Sequence, residues 1–263
     1  PGLLGSVEWC EHHAAELQQK AVAYINTDSN ARGFLSIGGS HSLESLAADV
    51  AHRVNDPLTG ISASERLRAS VLVRGTAAQR AEFLNRRDLR LKALGSGSDY
   101  SAFLQHLGIA TFNLSFRGEG VGGEYHTCFD TFDHYTKNID PGHRYGIALA
   151  QVCGRLTLRL SEAQILPFDF NAQAETINRY ITEVTTLVET LRRETKIQNQ
   201  LLATGRFQQA ADPKEKYHPP TPQKPVPHIN FPPLLNAGQK LKTASAEFHK
   251  ALAAHDQKLS PAQ

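Results

Sequence analysis

The sequence predicts an α/β domain that gives way to part of a helical bundle. Three observations point there. Over residues 1–165, short apolar runs alternate with segments of helical periodicity, the pattern of a parallel sheet flanked by helices. At "ILPFDF", 165–170, the composition turns polar and two long amphipathic stretches follow. Between those stretches, "DPKEKYHPPTPQKPVPHINFPP" holds too much proline for regular structure. The expected division is 1–165 for the sheet domain and 166–263 for the helical one.

Residues 6–19 read as a helix, with Ser6 as N-cap and Glu8 in the first turn, where a carboxylate suits the helix dipole. "AVAYIN", 21–26, is a short strand followed by turn residues. "GGSHSLESLAADVAHRV" gives a glycine turn and a helix over Ser42–Val54, with Leu43, Leu46, Val50 and Val54 at helical spacing. "NDPLTGIS" is a loop, and a second helix is expected over Ser64–Arg80. "LRLKAL", 89–94, reads as a strand. "GSGSD" then leads into a short helix capped by Ser98 or Asp99 and closed by Gly108. "IATFNLSF", 109–116, is a further strand, and 117–140 is a long polar and aromatic loop. Helices are expected over Pro141–Leu160, 172–204 (Ile177, Ile181, Val184, Val188 and Leu191 on one side) and 234–258. Two long helices alone bury too little, so further helices or a second subunit should complete the bundle.

Composition excludes several classes. Lys and Arg total 28 against 26 for Asp and Glu, a formal charge of +2 over 263 residues. No dense basic run with aromatics is present, which argues against nucleic acid as a partner. No apolar run is long enough to span a bilayer, and residues 1–5 do not open a signal peptide. Cys10, Cys128 and Cys153 are isolated, so neither a thiolate zinc knuckle nor a CxxC redox pair is expected. The chain has no methionine, and it is read as a processed product or a fragment.

In a parallel α/β sheet, sites form beyond the carboxyl ends of strands. Asp28, the 95–99 loop and the loop after 109–116 all fall there. Each candidate also has an ordinary reading. Asp28 is either a turn residue bonding its own backbone or a group reaching into a site. His126, beside Tyr125, is one of twelve histidines, and no HExxH motif accompanies it. Glu8 and Glu11, three apart on one helix, are either a solvated acidic face or oxygen ligands for a hard cation. "GSGSD" is either a tight turn or an anion site at a helix N-terminus.

Five runs occur in a fixed order: "PGLLGSVEW", "AYINTDSN", "LGSGSDYSAFLQHLGIA", "YHTCFDTFDHY" and "ILPFDF". Together they resemble the glutamate carboxypeptidase II and transferrin receptor family of M28 zinc peptidases. They are most similar to bacterial-type members with a transferrin-receptor-like dimerisation domain. The resemblance implies the C-terminal part of a zinc-exopeptidase three-layer sheet domain, then a partial helical dimerisation domain, in a chain truncated at both ends. In that family two zinc ions polarise the peptide carbonyl and supply hydroxide at neutral pH. By resemblance, Asp28 and His126 are zinc ligands, and Tyr125 hydrogen-bonds the tetrahedral intermediate. Gly97 and Ser98 match the loop lining the substrate cleft, and Glu8 and Glu11 match carboxylates that hold a structural calcium in mammalian members.

The departures shape the expectation. The family's other zinc ligands and its general-base glutamate lie upstream of "PGLLGS", and Pro1 begins just after them. A zinc site needs about three or four protein ligands. The chain as given is therefore expected to bind zinc weakly and to hydrolyse nothing. Residues 112–116 carry no arginine before Arg117, which predicts a neutral or broad peptide preference. The implied parent is an amino- or carboxypeptidase acting on peptides, homodimeric and extracellular or periplasmic, either free or as a membrane-anchored ectodomain. The alternative is a non-catalytic, receptor-like binding and dimerisation protein.

Overall fold

The structure is a computed structural model that describes residues 3–86, 88, 90–120 and 124–259. Leu89 of the expected 89–94 strand and residues 121–123 of the expected loop lie outside the described residues. The chain divides into two compact units, 1–173 and 174–263.

The first unit is built on a three-stranded sheet in the order β1-β3-β2, with β1 Tyr24–Asn26, β2 Gly33–Gly39 and β3 Thr111–Gly118. β1 and β3 are parallel, with Asn26 opposite Asn113. β2 runs antiparallel to β3 and pairs along its full length, from Gly33 against Gly118 to Gly39 against Phe112. This corrects the all-parallel expectation, in which β2 had no place. Three of its seven residues are glycine, a composition that weakens a strand signal. At Gly39 the backbones come so close that a Cβ would lie 2.4 Å from the Thr111 carbonyl oxygen. The expected 89–94 strand reduces to one parallel bridge, Lys92 with Gly38.

Side chains alternate across a strand, and β3 shows the consequence. Phe112, Leu114 and Phe116 are almost wholly buried, whereas the intervening Asn113 and Ser115 are half-buried and Arg117 is exposed. The apolar face meets α3, Glu44–Arg53, through Leu46 and Val50, and α7, Arg144–Ser161, through Tyr145, Leu149, Val152 and Leu156. Each such side chain contributes about 1.5–3 kcal/mol by burial. A smaller cluster of Cys10, Phe103, Leu107 and Ile109 packs on Tyr24 of β1. Tyr24 and Asn26 lie on the same side of β1, and Asn26 faces Asn113. Helices α3 and α7 thus pack on one face of the sheet, the Cys10 cluster packs near β1 on the other, and Arg66 and Arg74 lie over the ring of Phe34 on β2. A complete third layer is not seen among the described residues.

Several helices start or stop away from their expected ends. The 6–19 helix breaks at His13 into α1, Leu4–His12, and α2, Ala14–Lys20. Ser6 lies inside α1 and donates to the Leu3 carbonyl at 3.0 Å instead of capping. The 64–80 helix is two helices, α4 Ala63–Arg74 and α5 Ala77–Asn85, because Thr76 and Gln79 form a reciprocal capping box that starts a new helix. The short element before Gly108 is a π-helical turn, Ala102–His106, without a side-chain cap from Ser98 or Asp99. Within 117–140 a helical turn, α6 Phe132–His134, runs into a second π-helical turn, Tyr135–Ile139.

Buried charges tie these parts together. Glu44 receives Arg86 at 2.8 Å and the Leu91 N–H at 3.1 Å. Burial pushes its pKa up, but the bonds from His41, Leu91 and Arg86 outweigh that and hold it below the usual carboxylate value. Arg66 donates to Asp56, to Glu119, to the Tyr145 hydroxyl at 2.6 Å and to the Gly33 carbonyl at 3.0 Å. Burial opposes ionisation of Asp56 too, and donors from Thr59, Arg66 and Leu58 win. Tyr145 is pushed up to about 12, by burial first and the charge of Asp56 second.

The second unit holds most of α8, Phe170–Ala203, together with α9, Arg206–Gln209, and α10, Pro232–Leu259. Asn178 on α8 donates to the Gly238 carbonyl on α10 at 3.1 Å. The proline-rich connector is pinned to α8 by a reciprocal pair between Asn199 and Gln223. Among the described residues, no helix is long and apolar enough to cross a membrane.

Candidate active site at the end of strand β1

β1 ends in Asn26, which is buried, and the chain then turns outward so that Asp28 is exposed. Four polar side chains close into a ring here. The Asn26 amide donates to the Ser98 hydroxyl and to the Asn113 side-chain carbonyl, both at 3.1 Å. Ser98 in turn donates to Asp28 Oδ1, and Asn113 Nδ2 donates to Asp28 Oδ2 at 3.2 Å. The Tyr24 hydroxyl holds Asn26 in place, donating to its Oδ1 at 3.1 Å. Both oxygens of Asp28 are thus engaged by donors that one buried amide orients.

The elements explain why these residues meet. The parallel β1–β3 register sets Asn26 beside Asn113. Tyr24 stacks flat on Phe103, with ring centroids 3.8 Å apart, and so docks the segment that follows Ser98. Gly97 has φ +113, a conformation that favours glycine; this lets the loop carry Ser98 to the carboxylate. The Tyr24 hydroxyl has a raised pKa, through burial first and then the charges of Asp99 and Asp28.

Asp28, Gly97 and Ser98 are therefore brought together. Tyr125 and His126 stand apart from them in the bonding pattern. Their rings stack on each other at 3.8 Å, both are exposed, and His126 has φ +58. Among the described residues no hydrogen bond links either to Asp28. The loop that bears them is anchored at both ends, by Glu119 on Arg66 and by Asp140, which accepts the Tyr145 and Gly146 N–H groups at 3.1 and 2.8 Å. Glu8 and Glu11 are exposed on α1.

A metal ion needs several donors converging on one point. Among the described residues, no three His, Cys, Asp or Glu side chains do so. Asp28 has the exposure and the orienting hydrogen bonds of a ligand carboxylate, but the described residues do not make a complete metal centre. A Ser64–His52–Asp88 arrangement is no nucleophilic triad either. Both partners approach the same His52 nitrogen, Nε2, at 3.5 and 3.1 Å, whereas a triad uses the two ring nitrogens separately.

Beside Asp28 the uncovered face of the sheet forms a polar cleft of about 240 Å³. Its lining includes Asp28, Ser36, Lys92, Asn113, Ser115 and Arg117. Of these, the sequence singled out only Asp28. Strict alternation across "FNLSFR", 112–117, was the available signal for Asn113, Ser115 and Arg117. Lys92 carried none, because its place depends on a bridge to a strand remote in sequence.

Relatives decide the family. The chain is 32% identical over 188 residues to a probable glutamate carboxypeptidase, VP8, of Zea mays, across 71% of this chain and 24% of that protein. It is 32% identical over 191 residues to the aminopeptidase NAALADL1 of Mus musculus, across 68% and 24%. It is 30% identical over 190 residues to a probable glutamate carboxypeptidase, AMP1, of Arabidopsis thaliana, across 72% and 24%. The chain belongs to the glutamate carboxypeptidase family. It spans about a quarter of the length of these relatives. No protein-family model matches it. In this glutamate carboxypeptidase relative, Asp28, an exposed carboxylate with both oxygens hydrogen-bonded, lies at the carboxyl end of a parallel strand, where α/β folds put their sites.

Proposed function

We propose that this chain forms part of a metal-dependent exopeptidase and contributes one wall of its active site. Carrying this reading is the Asp28 ring, an exposed carboxylate held at a strand end, in a chain whose relatives bear carboxypeptidase and aminopeptidase names. Asp28 and His126 are taken as this chain's two zinc ligands. The remaining ligands and the general base are assigned to parts of the parent protein outside residues 1–263. Ser98 and Asn113 fix the direction of the Asp28 lone pairs, and Gly97 shapes the loop beside the cleft. The Tyr125 hydroxyl is taken as the donor to the oxyanion that forms as the peptide bond is attacked. Glu8 and Glu11 are taken as calcium ligands, holding α1 rather than taking part in chemistry.

The helical unit is proposed to mediate homodimerisation. Val184, Leu187 and Leu191 on α8, and Leu234, Leu241 and Phe248 on α10, are exposed apolar residues that a second subunit would cover. An extracellular or periplasmic setting remains part of the same proposal.

The test measures zinc content and release of terminal residues from peptides, for the 263-residue chain and for the longer protein that contains it. The expected result is zinc-dependent turnover, abolished by a chelator and restored by zinc, in the longer protein alone. Stoichiometric, chelator-resistant zinc with turnover in residues 1–263 would overturn the assignment of the missing groups. Absence of turnover in the longer protein would favour the receptor-like alternative.

A further inference from the structure

Residues 119–140, between β3 and α7, carry Tyr125 and His126. Both ends of this segment are held by one buried side chain, Arg66 of α4. Glu119 forms the exit end. It follows β3 directly and stands between Gly118 at φ +102 and Gly120 at φ +124, conformations that favour glycine and do not by themselves set the direction in which the chain leaves the sheet. Its N–H donates to the Arg32 carbonyl at 3.1 Å, and its carboxylate accepts from Arg66 Nη2. Asp140 forms the return end and accepts the Tyr145 N–H at 3.1 Å. The Tyr145 hydroxyl then accepts from Arg66 Nη1 at 2.6 Å and donates to Asp56 at 3.1 Å. The same Nη1 also meets Asp56 and the Gly33 carbonyl, and the guanidinium lies 4.8 Å from the ring centre of Phe34. Burial opposes the charge of Arg66, but its bonds to Asp56 and Glu119 outweigh that and raise its pKa.

We infer that Arg66 is a positioning residue of the proposed site: by tying the two ends of the 119–140 segment together, it sets where Tyr125 and His126 stand relative to Asp28. Arg66 takes no part in the chemistry. It acts through Glu119 at one end and through Tyr145 at the other. The planar fork explains the choice of residue. One nitrogen reaches Glu119 while the other reaches Asp56, Tyr145 and Gly33, a division that the single ammonium of lysine cannot make. Asp56 balances the charge of Arg66 within the core. Glu119, with 31% of its side chain exposed, is therefore an arm that can be removed without stranding a buried charge. A ligand borne on a loop needs the loop's start and finish fixed before it can meet a metal, and groups that never touch the metal then control its affinity. That the segment is placed for a metal and a substrate rests on the exopeptidase reading; that Arg66 joins its two ends does not.

The first measurement is amide hydrogen exchange in the 263-residue chain, followed by NMR. Glu119→Ala is expected to speed exchange about tenfold at Thr127, Asp130 and Thr131, whose N–H groups bond within the loop. The amides of β3 keep their protection. Glu119→Gln, which retains an acceptor for Arg66, recovers most of the loop's protection, whereas Arg66→Lys loses it. Glu119→Ala keeps the test decisive if Arg66→Lys fails to fold. The second measurement uses the longer protein that contains this chain. There Glu119→Ala is expected to weaken zinc binding by about 10–100-fold and to lower kcat with KM unchanged, and excess zinc restores turnover. Unchanged exchange in the loop, or faster exchange spread equally over β3, overturns the positioning role. So does a loosened loop with unaltered zinc affinity, which reduces Arg66 to a brace of the fold. A longer protein that binds no zinc and hydrolyses nothing fails the exopeptidase reading. Faster exchange confined to the loop in Glu119→Ala then leaves Arg66 standing as the tie between its ends.

Discussion

The Asp28 ring and the Tyr125–His126 loop are the two halves of the proposed site, and they are built in opposite ways. Asp28 is gripped by donors from a second loop and a neighbouring strand, all referred to one buried amide. Among the described residues, Tyr125 and His126 stack on each other and bond to no part of the ring, in a loop fastened at its ends through Glu119 and Asp140. The difference teaches that position and direction are separate problems. Register within a sheet can aim a carboxylate. An exposed loop fixes where its residues start and finish, and leaves their aim to whatever packs against them.

The comparison breaks first if the sheet is damaged. Phe112 is fully buried beside Asn113, so Phe112→Ala is expected to cost about 3–5 kcal/mol in urea unfolding. The NMR signals of the Asp28 ring should shift while those of Tyr125 and His126 stay put. An equal response in both halves would show that they share one support.

A smaller effect isolates the ring itself. Asn26→Ala removes the amide that orients Ser98 and Asn113 and leaves buried partners unpaired, at a cost of about 1–3 kcal/mol. Asn26→Asp keeps the shape but replaces the donor with an acceptor beside Asp28, and should recover little. Full recovery would mean that shape alone, not donation, holds the ring.

Acid tests the anchor of the loop. Asp56 and Glu44 both titrate below their usual values in the fold. The stability each contributes is complete above its unfolded pKa, about 4, and is lost as pH falls through the lowered folded value. Asp56→Asn should therefore make the decline in unfolding free energy from about pH 5 downward shallower. An unchanged slope would remove Asp56 from the account. The smallest effect is expected at the loop tip, where Tyr125→Ala should change stability by no more than about 0.5 kcal/mol.

How far the sequence foretold this architecture depends on where each signal lay. β1 was legible to its last residue, though it starts three residues later than expected, and β3 lies two residues further along than expected at both ends, because short apolar runs ending in turn residues carry their own boundaries. β2 was not, since its glycines serve close backbone approach and erase strand propensity. The break before α5 was readable in Thr76 and Gln79, a capping-box pattern that the apolar spacing masked. The break at His13 has neither glycine nor proline to mark it. In the site, Asp28 and Ser98 followed from motif order, whereas Asn26, Asn113 and Lys92 act through pairings between distant segments. Those pairings exist only once the sheet has formed.

The most direct test is the rate at which the longer protein carrying this chain releases terminal residues from peptides, with Asp28 and with Asp28→Asn. The carboxylate-to-amide change keeps the side chain's size and removes its charge. A fall of at least about 100-fold, with an unchanged melting temperature and reduced zinc content, is the predicted result. Undiminished turnover with full zinc would contradict the account, leaving the ring of Asn26, Ser98, Asp28 and Asn113 as a brace for the sheet edge and nothing more.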